Sequence, residues 1–189
     1  MTIAIINEAI ADAKSRMEKS VEALKRELAS IRTGRANPSL VEHLMVDYYG
    51  VPTPLNQIAS ISVPEARLLL IQPWDKQVLV SIEKGILKSD LGLVPNNDGH
   101  VIRIAIPALN EERRRDLVRT VHKKAEDDRV AVRNVRRDCL EKLRALEKNK
   151  EISLDNRDIG QEQLQKITDA FIARVDQIMK DKEAEVMEV

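Results

Sequence analysis

Aromatic side chains are nearly missing from this chain: one Trp, two Tyr and one Phe in 189 residues. A core without rings has to be built from aliphatic side chains. The same scarcity argues against a stacking platform for single-stranded RNA, which needs an aromatic face for each base it holds. Trp74, next to Pro73, stands at the end of an expected strand. Cys139 is the only cysteine, so no intrachain disulfide can form and no cysteine-based zinc set can be assembled, which suits a reducing compartment. It falls on an apolar helix stripe, as a buried structural thiol does, rather than a nucleophile. The three histidines, His43, His100 and His122, are scattered, and none has a partner at metal-ligand spacing. There is no GxxxxGK[ST] loop, no GxGxxG and no Ser/His/Asp or Cys/His arrangement. Carboxylates are plentiful, but they lie on helix faces, where solvation is the default. The expectation is a protein that is not an enzyme and uses neither metal nor cofactor. No stretch approaches the ~18 apolar residues of a membrane span. The opening MTIAIINEAIADAK has no basic n-region and too short an apolar run for a signal peptide. A cytoplasmic location without membrane contact is expected.

Proline and glycine are missing from most of the chain and crowded into one part of it. All seven prolines fall between Pro38 and Pro107, and five of six glycines between Gly34 and Gly99. That part belongs to a different structural class from its flanks. Within it, residues 43–49, 58–63 and 101–106 alternate as half-buried strands do. Leu68 to Ile71 is a short apolar run, residues 76–88 read as one amphipathic helix, and Asn96-Asn97-Asp98-Gly99 reads as a turn. Before it, Ile6, Ile10, Ala13, Met17, Val21, Leu24, Leu28 and Ile31 repeat every three or four residues, close to a heptad seam. Gly34 stands in the place of a helix-ending glycine. After it come two more amphipathic segments. The last starts at a Ser153 cap and carries Leu164, Ile167, Phe171, Val175, Ile178 and Val186. Gly160 marks weak helicity or a kink there, and the acidic tail is expected to fray. Three long helices with one apolar stripe each bury those stripes on one another. The expected fold is therefore α+β: a three-helix bundle from residues 1–31 and 105–189, discontinuous in sequence, with a small α/β domain of short strands and one helix inserted at 32–104. Two connections, at 31–35 and 103–107, make a natural hinge.

The middle segment, Asn110 to Lys150, organises the rest. Without Gly or Pro and rich in strong helix formers, it predicts a rod of roughly 60 Å, capped by Asn110 with Glu111 and Glu112 in its first turn. Val118, Val121, Ala125, Val132, Val135, Cys139, Leu143 and Leu146 form its apolar stripe. Arg129, Arg133 and Arg136 form a second row, about a quarter turn away. Arg115 and His122 extend the row upstream, Arg137 and Arg144 flank it, and Leu140 interrupts it. Net charge is zero overall, but residues 105–150 hold 14 basic against 9 acidic residues, and residues 151–189 hold 5 against 10. Stacked arginines repel one another and suggest a polyanion. The alternative is a solvated face, since Glu126, Asp127, Asp128 and Asp138 lie nearby. On charge alone the two readings stand level.

Longer motifs tip that balance. Ile31-Arg32-Thr33-Gly34-Arg35-Ala36-Asn37-Pro38-Ser39-Leu40 and Tyr48-Tyr49-Gly50-Val51-Pro52-Thr53-Pro54-Leu55 resemble the bacterial ribosome recycling factor family. So do Ser89-Asp90-Leu91-Gly92-Leu93, residues 110–117 (NEERRRDL), residues 130–138 (VAVRNVRRD), Lys150-Glu151-Ile152-Ser153 and residues 181–185 (DKEAE). The resemblance covers essentially the whole chain; Asn110 stands where the family often has Thr, which keeps the capping chemistry. It implies an L-shaped molecule similar in outline to a transfer RNA. It implies binding of the post-termination ribosome through large-subunit ribosomal RNA. It further implies action with elongation factor G and GTP to free the messenger RNA and split the subunits. By position, the RNA-binding residues it implies are Arg133 and Arg136, with Arg114, Arg129 and Arg137 in support. Arg32, Thr33, Gly34, Arg35 and Pro107 would serve the hinge. Beside it, Arg32 and Arg35 cap carbonyls or pair with bundle acids, and Tyr48 and Tyr49 pack within the small domain. A monomer that binds no DNA is expected. The alternative from another class is a non-catalytic helical scaffold or co-chaperone.

Overall fold

Unbroken apolar periodicity gives three long helices. The computed structural model describes residues 2–188; Met1 and Val189, which the expected bundle includes, lie outside the described residues. Helix α1 spans Thr2–Ala29. It ends before the predicted Ile31, and Gly34 is not its terminator, because its φ is not among the positive ones. Helix α3, Glu111–Lys148, runs for 38 residues. The Oδ1 of Asn110 accepts the Arg113 amide at 2.8 Å, which is the predicted cap. Helix α4 spans Leu154–Met187, and Ser153 Oγ accepts the Asn156 amide at 3.2 Å. Between α3 and α4, Lys150 adopts φ 60°. Its amide reaches Glu147 O at 2.9 Å, and the Glu151 amide reaches Leu146 O at 3.0 Å. This pair of bonds closes a helix with a left-handed residue, a position that usually holds glycine. Lysine hid it in the sequence.

The chain divides into two compact units. The first joins the N-terminal stretch up to Leu28 with Asp116–Ala184. Its seam comprises Ile6, Ala9, Ile10, Ala13, Met17, Val21, Leu24 and Leu28 from α1, with Val121, Ala125, Val132, Val135, Cys139 and Leu143 from α3 and Leu164, Phe171 and Val175 from α4. On α3 the stripe begins at Leu117, not Val118, and Leu146 is only half-buried. Cys139 is buried and its Sγ donates to Ala9 O at 3.5 Å; burial pushes the thiol pKa up. Gly160 does not interrupt α4. A Cβ there would stand 3.0 Å from Ile6 Cγ2 and 3.4 Å from Leu143 Cδ1, so the glycine serves close approach between helices.

The second unit comprises Ala29–Arg115 and the residues from Glu185. Strands β1 (Met45–Tyr48) and β2 (Val51–Pro54) form a hairpin, with Tyr48 opposite Val51. Tyr49 (φ 51°) and Gly50 (φ 85°) make its two-residue turn. Positive φ at both positions matches the twist of a hairpin, and two prolines hid β2 from the sequence reading. Strands β3 (Ala59–Glu65), β4 (Leu68–Pro73), β5 (Pro95–Asn97) and β6 (Ile102–Ala105) form an antiparallel sheet in the order β3-β4-β6-β5. Asn96 and Asn97, expected in a turn, pair with Arg103 and Ile102 instead. The turn that follows is organised by Asp98, whose carboxylate accepts the Val101 and His100 amides at 2.8 and 2.9 Å and pairs with Arg103. Those backbone bonds and the guanidinium hold its pKa far below the usual carboxylate range. The predicted helix 76–88 is a 3-10 turn, Lys76–Val78, followed by helix α2, Leu79–Lys88. Asp75 Oδ1 accepts the Gln77 amide at 2.9 Å and sets that start. The core contains Val46, Leu55, Leu69, Ile71, Ile82, Ile86, Ile102 and Ile104 and no ring. Val186 is buried and the helix holds to Met187, so the expected fraying of the tail is not seen through Met187.

Candidate nucleic-acid interface

Successive α3 side chains step by about 100° around the helix. The buried positions 121, 125, 132, 139 and 143 cluster on one side. Arg129 and Arg136 flank that side, whereas Arg133 and Arg137 point further out. Burial follows this order. The Arg129 side chain is 17% exposed and that of Arg133 is 53% exposed. Arg136 is half-buried and Arg137 is exposed.

The partners follow the same order. Arg129 reaches α4: its Nε and Nη2 lie 2.8 and 2.6 Å from Asp176 Oδ1, and Nη2 lies 3.4 Å from Met179 Sδ. Its Nη1 donates to Glu126 Oε2 at 2.9 Å. Its charge is held within the bundle. Among the described residues Arg133 pairs only with Glu126, whose Oε1 lies at 3.2 Å. The bond from Arg129 and then that from Arg133 hold the Glu126 pKa below the usual range. Arg136 and Arg137 carry no ion pair among the described residues. The expected upstream extensions are both occupied. Arg115 pairs with Glu111, and His122 Nε2 lies 3.0 Å from Glu183 Oε2. Arg114 is half-buried in the first turn of α3 and falls in the second unit, apart from the other four arginines.

Other charges of the helical unit are committed to pairs between its helices. Arg174 makes a two-pronged contact to Glu18, at 2.7 and 2.8 Å, and its guanidinium carbon sits 5.1 Å from the Phe171 ring centroid. Arg16 pairs with Asp138 at 2.8 Å, and Lys124 with Glu27 at 2.8 Å. Asp128, expected among the acids of a solvated face, is buried. One oxygen faces Ser20 Oγ and the other has no hydrogen-bond partner among the described residues; burial pushes its pKa up. Its spacing, three after Ala125 and four before Val132, was the signal for that burial.

The expected hinge residues all lie in the second unit. Arg32 Nη1 donates to Leu91 O at 2.8 Å, so it caps a carbonyl. Thr33 is buried and its Oγ1 donates to Glu185 Oε1 at 2.8 Å while accepting the Arg35 amide. Arg35 pairs with Glu188 at 2.7 Å. Gly34 has only Leu109 N near its Cβ direction, at 3.9 Å, and Pro107 is exposed. Tyr49 is exposed at the hairpin turn, where its hydroxyl meets Asp75.

A helical unit with an outward arginine face and, in the same chain, a small antiparallel sheet unit define a protein of the α+β class. Among the described residues, no three His, Cys, Asp or Glu side chains group as a metal site, and no helix is long and apolar enough to cross a membrane. The family model for the ribosome recycling factor matches residues 24–187. A ribosome-recycling factor from Syntrophomonas wolfei is 56% identical over 185 residues, covering 98% of this chain and all of that one. One from a Geobacillus species is 60% identical over the same shares. The solution structure of a ribosome recycling factor superposes with TM-score 0.79 at 43% identity, covering 97% of this chain and 98% of that one. A T. thermophilus ribosome recycling factor, placed with E. coli elongation factor G on the E. coli post-termination complex, gives TM-score 0.69 at 50% identity, over 97% and 99% of the two chains. The chain belongs to the ribosome recycling factor family. Members of that family are translation factors without catalytic turnover, and the scaffold alternative falls with that finding.

Proposed function

We propose that this protein binds the post-termination ribosome through large-subunit ribosomal RNA, using the outward face of α3. Elongation factor G with GTP then acts on the bound factor to release the messenger RNA and separate the subunits. Arg133, Arg136 and Arg137 make the phosphate contacts. Arg129 braces the bundle beneath them and adds to the local positive field, and Arg114 contributes from the helix start. The observation that carries this reading is that Arg136 and Arg137 have no internal counter-ion among the described residues, while Arg129 and Arg133 in the same row do. A guanidinium fork matches phosphate oxygens in two-pronged fashion, and a rigid helix holds several forks in register along folded RNA, which is read largely by shape and backbone. A structural relative described together with elongation factor G on a ribosome supports the choice of partners. The connections at 31–35 and 103–107 are the pivots between a bundle domain and an inserted domain, and the protein acts as a cytoplasmic monomer.

The test is Arg133→Ala/Arg136→Ala. Each charge-assisted contact contributes about 1.5–3 kcal/mol, or roughly one to two decades in affinity. Loss of an exposed charge changes folding by only ~0.5 kcal/mol or less. The double variant should lose binding to large subunits in a pelleting assay while its melting temperature hardly moves. The slope of log affinity against log salt should shrink as fewer counter-ions are released. Arg144→Ala, beyond Leu140, is the control and should bind nearly as well as the parent. Binding by the double variant equal to that of the parent would refute the assignment.

A further inference from the structure

Two of the six arginines on the bundle portion of α3 share one carboxylate, and they do not need it equally. Glu126 sends Oε2 to Arg129 and Oε1 to Arg133, at 2.9 and 3.2 Å. Arg129 has Asp176 on another edge of its guanidinium, at 2.6 and 2.8 Å, and lies half under cover. It stays paired whether or not Glu126 is present. Arg133 has no second acid among the described residues, and it and Glu126 are each 53% exposed. A carboxylate offers a guanidinium the same pair of oxygen acceptors that a phosphate offers. We propose that Glu126 is a built-in competitor for Arg133, a specificity-determining residue that occupies the fork in the free protein and yields it to an RNA phosphate.

This rests on the assignment of the α3 face to RNA. An exposed ion pair is weak and screened, so a phosphate can displace it. Displacement costs the Glu126–Arg133 pair, so an anion must engage the fork well enough to offset that loss. Arg136 and Arg137, with no such acid, accept phosphate without that exchange. The fold thus grades its arginines: Arg129 is locked, Arg133 is exchangeable and Arg136 and Arg137 are open. Protonation does not perform the release near neutral pH, because the bond from Arg129, with that from Arg133, holds Glu126 ionised. The phosphate itself must displace it.

A double-mutant cycle with purified large ribosomal subunits tests this. Glu126→Gln keeps the shape and removes the charge. It should bind up to about fivefold more tightly than the parent, the range of an exposed ion pair. In the Arg133→Ala background the same substitution should change affinity by less than about twofold, because the competitor then has nothing to release. Equal or weaker binding by Glu126→Gln overturns the proposal, since the acid would then position Arg133 rather than compete for it. A full gain that persists without Arg133 also overturns it, because the effect would be general repulsion. If Arg133→Ala alone binds like the parent, the assignment of the face to RNA fails first, which is a different result. Glu126→Ala, followed by thermal melts, separates any loss of folding from loss of binding: with Asp176 still on Arg129, both variants should melt near the parent.

Discussion

The helical unit and the sheet unit differ in what their acidic side chains hold. In the helical unit, charges pair across helices: Arg174 with Glu18, Arg16 with Asp138, Lys124 with Glu27 and Arg129 with Asp176. In the sheet unit such pairs also occur, as between Arg35 and Glu188, but several aspartates turn to the backbone. Asp98 gathers two amides, Asp75 starts a turn and Asp47 accepts the Gly50 amide at 2.6 Å. Parallel rods have satisfied backbones, and their polar groups are free to bridge. Short strands joined by tight turns leave amides open, and carboxylates close them. A charge without a partner therefore carries little information in the sheet unit and much in the helical one. On the bundle portion of α3, Arg136, Arg137 and Arg144 are arginines of that kind among the described residues.

The strongest challenge to the comparison is at the two cores. Met17 in the seam and Ile82 in the sheet unit are both fully buried. Each substitution to Ala should cost about 2–5 kcal/mol. Denaturant melts followed by circular dichroism and by Trp74 fluorescence would report them. If Met17→Ala shifts both probes equally and Ile82→Ala does too, the two units unfold as one, and treating them separately loses its thermodynamic basis.

A smaller effect belongs to close approach. Gly160→Val puts two methyl groups where Ile6 and Leu143 already crowd the site, and should destabilise the protein by about 1–3 kcal/mol. A thermal melt of this variant beside the parent decides it. An unchanged melting temperature would show that α4 can shift along its neighbours.

Next come the charges. Arg129→Ala removes a partly buried ion pair and leaves Asp176 without its partner, so it should cost about 1 kcal/mol, several times more than Arg137→Ala. Chemical denaturation of the two variants compares a braced arginine with an open one. Asp128→Asn should act in the opposite direction. Burial raises the Asp128 pKa in the folded state. Its contribution to stability is therefore fully present below the unfolded pKa and is lost as pH rises through the folded one. At neutral pH the amide should gain about 1 kcal/mol, some 2–4 °C, and the advantage should vanish on acidification. Melts of both proteins over descending pH would show the two curves converging.

The smallest effect is at the end of α3. Lys150→Gly relieves a left-handed lysine and should gain about 0.5–1 kcal/mol. Guanidinium melts resolve a change of that size.

Much of the architecture was readable from residue order because helical burial is periodic and local. The heptad-like run of α1, the caps at Asn110 and Ser153, and the confinement of proline to one segment each follow from the chemistry of neighbouring residues. The strands were less readable. Pro52 and Pro54 disguise β2, Asn96 and Asn97 disguise β5 because asparagine favours turns, and the pairing of Leu69 with Ile104 lies beyond any local window. At the candidate site, periodicity grouped Arg129, Arg133 and Arg136 into a single row. It could not rank them, because the ranking depends on which acids α4 brings alongside α3. Asp176 lies 47 residues from Arg129 in sequence, and Glu183 lies 61 from His122. A charge's freedom is a property of its three-dimensional surroundings, whereas its face on a helix is a property of its position in the chain. The sequence by itself determined the helices, their faces and the family. Only the tertiary structure decided which cations are already neutralised, which acid is buried and where glycine is needed for contact, because each depends on the distance between residues far apart in the chain.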